Sequence, residues 1–103
     1  MNMTAKQDAR QLRAIGHKLK PVVTVAGKGL TEGVIGEIDR ALEQHELIKI
    51  KLAVGDRTAR AATAEAVCEA CGAQLVQAIG NVILVLRRSS KPDPKLSNLL
   101  RPL

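Results

Sequence analysis

The order of patterns between Pro21 and Leu52 leaves few folds open to this chain. Pro21 opens a β-branched run, Val22, Val23, Thr24 and Val25, that reads as a short buried strand. The loop Ala26-Gly27-Lys28-Gly29-Leu30 follows. Thr31 then suits a helix N-cap, and Glu32 suits the first turn beside the positive pole. Val34, Ile35, Ile38, Ala41 and Leu42 give that helix an apolar stripe, while Glu37, Asp39, Arg40 and Glu43 face water. The next stretch, "LIKIKL" from Leu47 to Leu52, alternates with period two. Leu47, Lys49 and Lys51 therefore share one face of a strand, and Ile48, Ile50 and Leu52 the other. Strand, helix and strand in such close succession make a βαβ-type unit.

The flanking segments extend the pattern. Ala9, Leu12 and Ile15 recur at helical spacing, so Ala5 to Ile15 reads as a helix with Lys6, Arg10 and Arg13 on its polar side and Gly16 as its stop. Thr58 to Cys71 is alanine-rich and reads as a third helix capped by Gly72. "QLVQAIG" and "NVILVLRR" are two strands joined around Gly80-Asn81, a two-residue hairpin signal. The expected fold is α/β, a single domain in the order α-β-α-β-α-β-β, with a four-stranded mixed sheet and helices packed on it. We set the domain at residues 1–88 and expect residues 89–103, with Pro92, Pro94 and Pro102, to form a flexible or loosely packed C-terminal tail.

No apolar run approaches the ~20 residues needed to span a bilayer, and the polar N-terminus lacks the apolar stretch of a signal peptide. The expected location is cytoplasmic. Cys68-Glu69-Ala70-Cys71 has the C-x-x-C spacing, but zinc wants a second pair of ligands, and a redox pair gains its reactivity at a helix N-terminus rather than just before a capping glycine. These read as core or half-buried helix cysteines. His45 has no Ser or Cys partner arrangement that suggests catalysis and reads as a turn histidine. His17 could hydrogen-bond a phosphate only when protonated, and an imidazole is mostly neutral at neutral pH, so neither enters the expected site. We expect no cofactor, no metal, no small-molecule substrate and no membrane partner, hence no enzyme.

Charge narrows the class of partner. Lys and Arg number 16 against 10 Asp and Glu, a net charge of +6. An acidic segment, residues 31–46, lies between two basic ones. Such a balance favours a polyanion, since neutralised phosphates release counterions. Phe, Tyr and Trp are absent, which disfavours modules that stack bases on aromatic rings. A nucleic acid would be held by its backbone and shape.

The glycine loop fits this. A strand, a glycine-bearing loop and a helix N-terminus form an anion site of unpaired N–H groups, to which Lys28 adds a full charge. A Walker A loop is excluded because no glycine stands five positions before Gly27 and Lys28 is followed by Gly29. A dinucleotide fingerprint fails because its third glycine comes one step late, at Gly33. The remaining readings are a turn that glycines merely permit and a clamp of the GXXG kind on a nucleic-acid backbone.

The stretches "LKPVV", "GLTEGV", "ALEQHELIKIKL" and "GAQLVQAIGNVILVLRR" resemble, in family order, the CRM domain (chloroplast RNA splicing and ribosome maturation). The likeness runs from Leu12 to Arg88, and the length is similar to the stand-alone bacterial, YhbY-like form. It implies a fold similar to the C-terminal domain of translation initiation factor three, RNA binding without catalysis, and association with ribosomal RNA of the large-subunit precursor during ribosome assembly. The family's GxxG loop falls on Ala26-Gly27-Lys28-Gly29, with alanine in place of the first glycine; either Gly27 supplies the conformational freedom one residue later, or the approach of a backbone is somewhat hindered. The expected RNA-binding residues are Arg13, Lys18, Lys20, Ala26, Gly27, Lys28, Gly29, Thr31, Lys49 and Lys51, with Arg57, Arg60, Arg87 and Arg88 basic but undirected. The competing reading is a protein-interaction module whose acidic helix face, Glu37, Asp39 and Glu43, binds a basic ribosomal protein or assembly factor.

Overall fold

A computed structural model describes residues 8–103; the expected helix start at Ala5, and Lys6 with it, lie outside them. The elements follow the expected order: α1 (Ala9–His17), β1 (Pro21–Val25), α2 (Glu32–His45), β2 (Leu47–Leu52), α3 (Arg57–Cys71), β3 (Gln74–Ile79) and β4 (Val82–Leu86). They form a single α/β domain with a four-stranded mixed sheet. Its strand order is β1-β2-β4-β3, with β1 parallel to β2 and β4 antiparallel to both β2 and β3. The second βαβ-type unit is thus split, because the hairpin folds β4 back between β2 and β3. The hairpin turns at Gly80, whose φ of 58° is a conformation that glycine adopts without a Cβ clash. Both outer strands carry a register shift, between Pro21 and Val23 in β1 and between Leu75 and Gln77 in β3.

The two faces of the sheet are covered unequally. Val23, Val25, Ile48, Ile50, Leu52, Ile83 and Val85 meet Ile38 and Leu42 of α2 and Ala64, Val67 and Cys71 of α3, forming the main core. On the opposite face Leu12 of α1 packs with Leu47, Leu84 and Leu86 in a smaller cluster. The run Ile83 to Leu86 is buried throughout because β4 is an inner strand with apolar cover on both sides. Local signals set the helix starts. Asp8 and Gln11 form a capping box at α1, each side chain accepting from the other's backbone N–H at 2.8 Å. Asp56 accepts from Ala59 N–H at 2.9 Å to cap α3, and Gly72, φ 61°, closes it.

Two expectations are corrected. Gly16 does not stop the first helix, which runs on to His17. It is buried instead, and a Cβ there would stand 2.5 Å from Cδ2 and 3.2 Å from Cγ of Leu84, so the missing side chain lets α1 approach the sheet. Gly16→Val should lower stability by about 2 kcal/mol in a urea titration, because Leu84 is too enclosed to yield freely. Gly16→Ala should cost less, since helix propensity returns about 1 kcal/mol.

The second correction concerns the tail. Residues 97 and 98 are buried rather than loose: Ser97 is fully enclosed and Asn98 nearly so. The Ser97 hydroxyl donates to Glu46 Oε1 at 2.7 Å. The Asn98 amide donates to the Leu47 carbonyl at 2.7 Å, and the Asn98 backbone N–H to the His45 carbonyl at 2.9 Å. The His45 ring, held 2.9 Å from the Leu96 carbonyl, adds a further tie. Glu46 is the hub of this docking. It caps α2 with a φ of 63°, is 4% exposed, and also accepts from Ser89 N–H through Oε2.

Candidate nucleic-acid interface

The loop after β1 is a tight turn. Gly29 N–H donates to the Ala26 carbonyl at 2.8 Å, which places Gly27 and Lys28 at its tip. Gly29, not Gly27, has the left-handed backbone, with φ 75°. The expected shift of conformational freedom to Gly27 is therefore not what the turn uses: Ala26 stands outside the left-handed region, where alanine fits without strain. Open space surrounds Gly27 and Gly29, with no atom within 4 Å of a Cβ built at either. Ala26, Gly27 and Lys28 are exposed and Gly29 half-buried, so the backbone of the turn can be approached closely.

Thr31 begins α2 as expected. Its hydroxyl accepts from Val34 N–H at 3.2 Å, while the helix N-terminus adds its partial positive charge beside the turn. Lys51 projects from the face of β2 that α2 and α3 do not cover, in register with Thr24. It is exposed and stands near the loop end of the strands. Ala26 to Gly29, Thr31 and Lys51 thus gather at one end of the sheet.

The other expected residues lie elsewhere. Lys18 and Lys20 precede β1, at the end of the strand away from the loop, and Lys49 pairs in register with Pro21. Lys18, Lys20 and Lys49 line one groove together. Arg13 is exposed on α1, apart from the turn. The groove also contains Arg101, which lies in the supposed tail and has no local sequence signal to mark it. Arg57 and Arg60 line a different groove, with Leu75 and Ala78 of β3.

Arg87, by contrast, is structural. Its Nη1 donates to Asp39 Oδ1 at 2.6 Å and to the Cys71 carbonyl at 2.9 Å; its Nη2 donates to the Asp39 carbonyl at 3.0 Å and to Glu43 Oε1 at 3.4 Å. It locks α2, α3 and the end of β4 together, and it uses two of the carboxylates on the acidic helix face. Cys68 is half-buried and Cys71 buried, as expected. Burial pushes both thiols up; Cys68 is raised further by its neighbour Cys71, and Cys71 by Asp39 against the opposing effect of Arg87.

A model of the CRS1/YhbY (CRM) domain matches residues 3–87. The chain belongs to the CRM family. Curated relatives of this CRM domain carry matching names. A probable RNA-binding protein of Pseudomonas aeruginosa is 48% identical, over 98% of this chain and 96% of that one. An RNA-binding protein of Haemophilus influenzae is 38% identical, over 93% and 97%. The solution structure of a Staphylococcus aureus protein suspected of binding RNA superposes with a TM-score of 0.72. It is 34% identical and covers 81% of this chain and 86% of its own. The CRM match ends at residue 87, before Ser89, Ser97, Asn98 and Arg101. Among the described residues no helix is long and apolar enough to cross a membrane.

Proposed function

We propose that this chain is a non-catalytic RNA-binding protein of the cytoplasm that holds large-subunit precursor ribosomal RNA during ribosome assembly. The RNA backbone would lie against the Ala26 to Gly29 turn. Backbone N–H groups and the α2 N-terminus would face a phosphate, with Lys28 and Lys51 supplying charge. Lys18, Lys20, Lys49 and Arg13 would extend the contact as further phosphate neutralisers. One observation carries the reading: the turn has no side-chain cover on Gly27 or Gly29 and presents an exposed lysine between them. RNA-binding names among relatives that match nearly end to end support it.

The protein-docking reading loses ground because Asp39 and Glu43 already hold Arg87. Of the three acidic residues on that face, Glu37 alone is left without a bond to Arg87. Crosslinking the protein to RNA in cells and sequencing the attached fragments tests the proposal. Precursor and mature large-subunit ribosomal RNA should dominate, and binding in vitro should weaken steeply with added salt. A profile without ribosomal RNA would overturn the ribosomal assignment.

A further inference from the structure

We propose that the docked C-terminal segment supplies Arg101 to a second phosphate-binding groove, shared with Lys18, Lys20 and Lys49. The proposal rests on the RNA-binding reading and deepens it. The groove has a volume of about 310 Å³ and brings these four cations together with His45 and Asn98. None of the four pairs with a carboxylate among the described residues. Four like charges lining one concave surface repel one another, and a polyanion relieves that repulsion.

Arg101 is prepared for such a ligand. Its Nε donates to Asn98 Oδ1 at 2.8 Å, and Asn98 is itself fixed by the buried Leu47 carbonyl at 2.7 Å. The backbone of Arg101 is tied as well, its N–H donating to the Ser97 carbonyl at 2.9 Å. With Nε engaged, the two terminal nitrogens remain to grip a phosphate as a fork, and little ordering is left to be done on binding. The site lies at the start of β1 and the glycine turn at its end, so the length of one five-residue strand, roughly 16 Å, separates them. A single RNA backbone running along this outer strand would reach both. Arg101 lies beyond residues 3–87, where the domain model ends, in the C-terminal segment that Ser97 and Asn98 dock.

The test measures affinity of the full chain for a labelled structured RNA, with single-stranded flanks long enough to cover both sites, across a salt series. Arg101→Gln should weaken binding about fivefold and lower the slope of log affinity against log salt by about one. Arg101→Lys should keep the slope. Lys95→Gln, which removes the same charge from an exposed tail position outside the groove, should bind as the wild type does. Losses from Arg101→Gln and Lys28→Glu should add when combined, because the sites are far apart. If Arg101→Gln binds normally while Lys28→Glu binds poorly, the second site is wrong and the RNA reading survives. If Lys95→Gln loses as much as Arg101→Gln, net charge rather than a groove is responsible, and the second site is again wrong. A wild-type chain that does not bind RNA overturns both.

Discussion

Lys28→Glu should cut RNA affinity by about 10- to 30-fold near 0.1 M salt and reduce the salt slope by one to two, since it removes one phosphate contact and sets a negative charge beside the backbone. The physical setting makes this the most informative single change at the turn. Lys28 is exposed and lies at the tip of the turn, so reversal of its charge leaves the fold intact and the loss reports on binding. Lys28→Gln should fall between, at about fivefold with a slope change near one. Gly29→Ala offers a contrast. The backbone there is left-handed, φ 75°, so alanine strains the turn by about 1 kcal/mol while open space accepts its methyl group. An unchanged affinity in Lys28→Glu would remove the turn from the binding surface.

Glu46→Ala should destabilise the fold by about 2–4 kcal/mol, because two donors at the base of the C-terminal segment lose their buried acceptor. The donors are the Ser97 hydroxyl and the Ser89 N–H. Glu46→Gly should be milder by about 1 kcal/mol, since glycine accepts the positive φ that a side chain resists. That ordering separates two roles of one residue: its carboxylate docks the segment, while its backbone strains the end of α2. Urea titration measures the difference. Hydrogen exchange at residues 96–101 should accelerate in both variants, and equal protection in wild type and Glu46→Ala would refute the docking role.

Among the described residues, local pattern, composition and capping signals located each strand and helix, because each is short and marked by its own residues. Thr31 and Gly72 marked helix ends correctly, and "LIKIKL" gave both its faces. Failures came where one segment answers to another far along the chain. Gly16 reads locally as a breaker, yet its lack of a side chain is matched to Leu84 on β4. The prolines after Ser89 read as a loose extension, whereas the bonds from Ser97 and Asn98 span 51 positions to Glu46 and Leu47. Nothing in either segment alone announces that pairing. In the candidate site the turn and its lysine were legible, but which glycine takes the left-handed conformation was not. Nor could linear order show that Lys18, Lys20 and Lys49 share a groove while Lys51, two residues on, sits nearer the turn.

The register shifts in β1 and β3 bear on how the molecule behaves at high concentration. Each outer strand offers a row of donors and acceptors to a neighbouring copy, and a regular row would template stacking. In β1 the row opens on Pro21, which has no N–H to give, and then slips out of step; in β3 it slips at Leu75 to Gln77. An incoming strand would find neither row continuous, so the sheet is discouraged from growing into fibres despite the bare Val22 and Ile79 on its margins.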